Sequence, residues 1–502
     1  MAWLDAPRTT SGGGGAAARS APPAVAWGPV LAVVGALVVV LLVFAGRYGA
    51  HRDELYFVAA GHRLAWGYPD QPPLTPLLAR LADEAAPGSV WALHVVPALV
   101  VGALVLVAAL TARELGGARV EQTVTAVLVA TGVVTLVSGH MLSTTTTDTL
   151  FWALVVWLTL ATSRRDDPRG WLVVGLVAGA GLENKHLVAF LLLALAVAVV
   201  ATRETRHHAR SPWAWAGAGI ALVLWLPNLL WQAQHGWPQL ELAADIRDEY
   251  LTLGGRLEFV GLSLVLLNPV VTVVWVIGLV RLLRERAWRW ARPVAWAYVL
   301  LVVVFLLTGG KAYYLAGLYP ALVAAGVCAL AATRPARRTA RLGAIAAAAS
   351  LVALPAALPV LPVGTFAGSP WAALGEDQVE MIGWDVFTAR VAEVVDEHDA
   401  GLVLTASYGD AGALEHARVL PSDVRVASGH NGFAAWGPPP DDERTVVLTG
   451  YPRAPSWMRG CTRVAPVATG VDNEASQAPL FVCDGPTRPW DQVWPQVTHL
   501  SA

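Results

Sequence analysis

Two short stretches carry acids where chemistry could use them. His51-Arg52-Asp53-Glu54-Leu55-Tyr56-Phe57 sets adjacent carboxylates directly after the first long apolar run, and Tyr68-Pro69-Asp70-Gln71-Pro72-Pro73-Leu74 adds a third downstream. Charged groups are costly inside hydrocarbon, so a chain this apolar that gathers Arg52, Asp53, Glu54, Arg63 and Asp70 in one loop has a use for them. A carboxylate can take the proton of an attacking hydroxyl, and nearby cations can neutralise a departing phosphate. Asp53 is the expected base, Arg52 and Arg63 are candidate phosphate contacts, and residues 46–90 are read as the catalytic loop.

Lysine usage is the second signal. Of 35 basic residues only Lys185 and Lys311 are lysine, and both fall in short turns between apolar runs. A genome-wide arginine preference explains the scarcity but not the placement. An ammonium at an interface is a compact charge suited to phosphate, so both lysines are expected at the site. Asp148, after four threonines, reads equally as a helix cap and as a site residue. Glu183 and Asn184 suit either a turn or a sugar contact. No glycine-rich phosphate loop is present, and His207-His208 lies in a basic loop where solvation is expected. Neither a cofactor nor a metal is therefore expected.

The element that must position these residues is a membrane domain. Hydrophobic residues make up 55% of 502 and charged residues 14%, with mean hydropathy +0.52, outside the range of soluble domains. A nucleic-acid partner has no support. Apolar runs at 25–45 and near 91–111, 121–138, 149–163, 170–182, 187–202, 213–232, 257–280, 293–308, 313–332 and 342–362 predict about eleven spans. Arginine-rich connections, from Arg113 and Arg119 to Arg338 and Arg341, alternate along the chain and are expected in the cytoplasm. The Asp53 loop and both lysines then face outward in a plasma-membrane protein.

The ends differ from the middle. Residues 1–24 include Ser11-Gly12-Gly13-Gly14-Gly15 and read as a flexible cytoplasmic tail. Residues 363–502 carry 18 Asp and Glu against 8 Lys and Arg and read as a soluble extracytoplasmic α/β domain. Its expected strands are Leu402 to Thr405, Val424 to Ala427 and Thr445 to Thr449, with a helix over Ala411 to Ala417. Cys461 and Cys483 are expected to bridge, worth about 3 kcal/mol in the chain-entropy model. Cys328, in an apolar run, reads as packing, and Ser428-Gly429-His430-Asn431-Gly432 as a structured loop.

The Asp53-Glu54 pair, Gln71-Pro72-Pro73-Leu74, Leu226-Pro227-Asn228 with Gln234-His235-Gly236-Trp237, and Gly310-Lys311-Ala312-Tyr313-Tyr314 before Tyr319-Pro320 together resemble the GT-C glycosyltransferases. The likeness is to the group of dolichyl-phosphate-mannose protein mannosyltransferases and aminoarabinose transferases, and covers residues 25–362. It implies an α-helical polytopic enzyme that moves a sugar from a polyprenyl-phosphate donor to a glycan, lipid or protein acceptor outside the cytoplasm, with inversion. Asp53 matches the family's base, Glu54 its companion and Asp70 a second loop acid. His235, Tyr313 and Tyr314 lie in shared elements and become candidate substrate contacts, although the tyrosines, like His62, also suit interfacial anchoring. Gln71 departs from the aminoarabinose transferases, which carry lysine there. A non-catalytic lipid-binding scaffold would keep the same features; a transporter would set its charges in broken helices at mid-membrane.

Overall fold

Apolar runs become helices because hydrocarbon leaves every backbone N–H and C=O to be bonded within its own segment. In a computed structural model, the chain is described over residues 21–441, 445–464, 467, 469–476 and 479–501. Most of the expected tail therefore lies outside the described residues. Six helices among those described are long and apolar enough to cross a membrane: Trp27–Phe44, Val90–Glu114, Pro212–Gln234, Arg286–Thr308, Ala312–Ala331 and Ala336–Ala357. The count reaches eight if Arg119–Ala130 with Val133–His140, and Leu253–Val265 with Pro269–Arg284, each form one bent span.

All eight coincide with expected runs, and the other three expected runs are helices too, Thr144–Arg165, Gly170–Leu182 and Leu187–Ala201. By length and composition the span count is thus six to eight, below the eleven expected. Thr144–Arg165 opens on a polar turn, and helices of 13 and 15 residues rise only about 20–22 Å against a hydrocarbon core of about 30 Å. The sharper bend, 92°, falls at Asn268-Pro269. There the Asn268 amide caps Val271 N–H at 2.8 Å and donates to Ser350 Oγ at 2.6 Å, bonding groups that the break would otherwise leave buried and unpaired.

Small residues let spans approach closely. A Cβ on Gly175 would collide with the Gly217 backbone, and one on Gly326 with the Val274 carbonyl. The Gly170–Leu182 helix therefore packs on Pro212–Gln234, and Pro269–Arg284 on Tyr319–Ala331. At another end of the helical part, the fully buried Glu114 pairs with Arg165 at 3.0 Å and Arg113 at 3.4 Å.

The C-terminal part follows its expected pattern. Strands β1 (Leu402–Thr405), β2 (Arg425–Ser428), β3 (Val446–Thr449), β4 (Met458–Arg459), β5 (Thr462–Val464), β6 (Leu480–Cys483) and β7 (Gly485–Pro486) follow the helix Trp384–His398. The main sheet runs β2-β1-β3-β6-β5; the first three strands are parallel, and β6 is antiparallel to both its neighbours, β3 and β5. β1 and β3 are buried along their whole length, as continuous apolar runs in a parallel sheet should be. Cys461 and Cys483 are disulfide-bonded, joining the start of β5 to the end of β6.

Candidate functional site

Asp53 and Glu54 are neighbours in sequence with opposite surroundings. Both stand in the first turn of the helix Arg52–Gly61, capped by His51, whose Nδ1 accepts from Asp53 N–H. Glu54 is fully buried. Its carboxylate accepts from His51 N–H at 2.9 Å and Leu142 N–H at 2.7 Å, and His94 Nε2 lies 3.2 Å away. Every one of these partners is internal, so Glu54, expected as the catalytic companion, ties the start of its helix to Leu142 and His94 like a brace. Asp53 turns outward, with its side chain one-third exposed.

The partner of Asp53 comes from the other end of the chain. The Tyr408 hydroxyl, at the start of the helix Tyr408–Ala417, donates to Asp53 Oδ1 at 2.8 Å. That helix lies directly on Arg52–Gly61, because Gly412 presents no side chain: a Cβ there would stand 2.8 Å from Tyr56 N. Around this seam, Tyr56 donates to Asp70 Oδ1 at 2.9 Å and accepts from Gly432 N–H at 3.1 Å, while Asn431 Nδ2 reaches Asp70 Oδ2 at 3.3 Å. Burial, opposed by these bonds, pushes the Asp70 carboxyl up to about 7. Burial likewise pushes Tyr56 and Tyr408 well above the usual phenol range.

The two arginines expected on phosphate are engaged at the same seam. Arg52 pairs with Glu474 at 2.8 Å. Arg63 forms a fork with Glu415 at 2.6 and 2.7 Å and lies 4.3 Å over the Trp436 ring. Arg63, expected on phosphate, is thus bonded here to residues of the C-terminal part. Its charge and ring contacts have partners that only the folded chain supplies.

Each lysine has its ammonium against tyrosine rings. Lys185, in the turn between Gly170–Leu182 and Leu187–Ala201, donates to Thr145 Oγ1 at 3.0 Å, and its ammonium lies 5.5 Å from both the Tyr313 and Tyr314 rings. Lys311 lies 5.0 Å over Tyr250. Burial pulls both ammonium groups down. Asp148 chiefly opposes the shift at Lys185, with Lys311 adding to it and Asp53 also opposing; at Lys311, Glu249 and then Asp53 oppose it. Both lysines thus feel the Asp53 carboxylate, and Lys185 feels Lys311. Asp148 is not the cap of its helix: Ser143 is, accepting from Thr146 N–H at 3.1 Å, and Asp148 lies buried one turn in, facing Lys185.

Three loops are stitched here. Leu74 N–H donates to Glu183 O, Thr75 Oγ1 to Asn184 Oδ1 at 2.7 Å, and Asn184 Nδ2 to Thr144 O at 2.8 Å. Buried polar atoms usually find partners, yet both ends of the Gln71 amide, both Glu183 oxygens, Thr147 Oγ1 and Asp148 Oδ1 have none within the protein. Burial pushes Glu183 up to about 7. These loops offer polar atoms and cations to a polar ligand. Asn228, from the Leu226-Pro227-Asn228 element, takes His186 Nε2 at 2.8 Å and donates to Trp66 O at 2.9 Å, so it fixes the loop. His235 stacks on Trp231 at 3.9 Å at an exposed position and joins none of these contacts.

Tyr408 and Glu474 carry no expected role in the sequence, and Tyr56 and Asn431 stand in quoted stretches without one; their partners lie in distant parts of the chain. The one cluster among the described residues with metal-ligand geometry joins His207 and His208, in the basic loop where solvation is expected, to Asp166 at the end of Thr144–Arg165.

Residues 70–231 match the family model for dolichyl-phosphate-mannose-protein mannosyltransferase. No curated protein matches the chain. By fold, it is similar to ArnT from Cupriavidus metallidurans bound to undecaprenyl phosphate, with TM-score 0.58 and 17% identity over 92% of this chain and 98% of that one. The apo state of the same protein gives TM-score 0.54 and 14% identity over the same shares. The mycobacterial arabinofuranosyltransferase AftD gives TM-score 0.52 and 15% identity over 92% of this chain and 40% of that one. By sequence over residues 70–231, and by fold over nearly its whole length, the chain resembles the GT-C glycosyltransferases, the group to which its loop acids and Gln71-Pro72-Pro73-Leu74 element point.

Proposed function

We propose that this multi-pass membrane protein transfers a sugar from a polyprenyl-phosphate donor to an acceptor hydroxyl, with Asp53 as general base and inversion at the anomeric carbon. The observation that carries the reading is that Asp53, held by the Tyr408 hydroxyl, keeps a side chain one-third exposed, while both oxygens of the adjacent Glu54 are bonded inside the protein. The undecaprenyl phosphate bound by the ArnT relative supports a lipid phosphate as the leaving group. In the step, the acceptor O–H proton passes to Asp53 while its oxygen attacks the anomeric carbon. The bond from that carbon to the phosphate oxygen breaks, and polyprenyl phosphate leaves with the electron pair, stabilised by Lys185 and Lys311. A single displacement of this kind inverts the carbon.

Glu54 and Arg63 hold the loop in this scheme, and Asp70 orients Tyr56 and Asn431 beside it. Gln71, Glu183 and Asp148 offer hydrogen bonds to the sugar or phosphate, and Tyr313 and Tyr314 flank the Lys185 ammonium. Residues 25–362 form the transferase unit. The amino terminus lies in the cytoplasm and residues 363–502 lie outside, on the Asp53 side of the membrane. The test supplies the purified protein in lipid nanodiscs with a polyprenyl phosphate carrying a radiolabelled sugar, together with envelope extract as acceptor. Release of free polyprenyl phosphate with label on a new product is expected. Binding of the donor without its consumption would refute transfer and leave a scaffold.

A further inference from the structure

The soluble domain has a recess of its own beside Asp53. A cavity of about 370 Å³ opens where β1 and β3 end, lined by Ser407 after β1, Gly450 after β3, and Asp410, Glu474 and Arg52. β2 and β3 lie on either side of β1, so this crevice stands outside the carboxyl ends of the strands where the chain's winding reverses, the place where open α/β sheets bind ligands. The bridging residue is Tyr408, which lines the crevice and donates its hydroxyl to Asp53.

The lining selects the ligand. Asp410 is 1% exposed; its Oδ2 accepts from Thr449 Oγ1 at 3.3 Å, and its Oδ1 has no partner within the protein. A helix N-terminus at such a site ordinarily suits an anion, but here the first turn carries Asp410 itself and Glu474 stands beside it. Arg52 is already paired with Glu474, so phosphate would meet carboxyl groups without a free guanidinium. An apolar ligand would leave Asp410 Oδ1 buried without a partner. His430 stacks on His499 at 4.4 Å and lies 4.6 Å from the Tyr408 ring, giving the wall flat faces. Burial holds His430 neutral, with its pKa pulled down to about 3.

We infer that this crevice binds a neutral sugar ring of a glycan acceptor, with Asp410 and Glu474 hydrogen-bonded to ring hydroxyls, and so presents a neighbouring acceptor hydroxyl to Asp53. The inference rests on the transferase reading for the word acceptor, but the binding itself is independent of it.

The experiment uses the full chain in nanodiscs and ligand-observed saturation-transfer NMR. The probes are the methyl α-glycosides of mannopyranose, glucopyranose, galactopyranose and arabinofuranose, with the 31P line width of inorganic phosphate as the anion arm. At least one glycoside should give saturation transfer in the parent chain and in Asp53→Asn. The signal should fall about fivefold or more in Asp410→Ala, which removes a hydrogen-bond partner of the ring, and in Glu474→Gln, which replaces a charged acceptor with a weaker neutral one. Glu474→Gln is the variant to read if Asp410→Ala does not keep its melting transition. No signal from any of the four glycosides, a signal unchanged in the variants, or broadening of phosphate in their place would overturn the inference. Glycoside binding together with full transfer by Asp53→Asn would remove the proposed base and leave the crevice standing.

Discussion

The pair Asp53→Asn and Glu54→Gln separates two adjacent acids by what each change damages. Asn keeps the size of Asp53 and an oxygen to accept from Tyr408, and the site is one-third exposed, so folding should be nearly untouched. What is lost is the base, and transfer should fall on the order of 10²–10⁴-fold. At Glu54 the opposite holds. Both carboxylate oxygens accept from backbone N–H groups, at 2.7 Å from Leu142 and 2.9 Å from His51. Whichever oxygen becomes the Gln NH2 then points a donor at a donor in a dry site. One orphaned buried N–H plus the lost charge-assisted bond costs about 3 kcal/mol, read as a lower midpoint in thermal unfolding followed by tryptophan fluorescence. Initial rates on protein that remains folded, measured with labelled polyprenyl-phosphate sugar, complete the comparison. Asp53→Asn with transfer within about tenfold of the parent, or Glu54→Gln with unchanged stability and abolished transfer, would refute the assignment of base and brace.

Lys311→Ala should raise the apparent KM for the lipid donor more than that for the acceptor, and Lys311→Arg should restore charge but only part of the affinity, because a planar guanidinium fits a point-charge site poorly; equal effects on both substrates would tell against a phosphate role. Asp70 has a carboxyl raised to about 7 by burial, so the folded state binds more protons than the unfolded one between pH of about 4 and 7, and stability should fall as pH rises through that window. Asp70→Asn should flatten this part of the pH profile of the unfolding midpoint, and an unchanged profile would show that Asp70 does not titrate there. Single-cysteine labelling at the exposed positions 166 and 399 in intact cells should find them on opposite sides of the membrane; the same side for both would overturn the topology.

Class and coarse layout were legible along the chain. Every expected apolar run became a helix, because hydrophobic length and backbone satisfaction in hydrocarbon are local requirements that composition states directly. The strands β1 and β3 were legible for a similar reason, being short apolar runs buried on both faces. The site was legible only in its acids and lysines, whose rarity in an apolar chain marks them out. The sequence ranked Asp53 and Glu54 as partners and could not tell that one faces outward while the other is locked to Leu142 and His94. That difference depends on which side of a short helix meets the spans. Nor could it join the two ends of the chain: Asp53 accepts from Tyr408, Arg63 grips Glu415 and Arg52 grips Glu474, contacts across more than 350 residues. Such pairings have no local signature, since an exposed-looking arginine in a loop and a glutamate in a distant helix become partners only when Gly412 lets two helices touch. Sequence alone determined a polytopic membrane chain with an acidic loop; tertiary structure decided that the C-terminal part packs on that loop through Tyr408, Glu415 and Glu474.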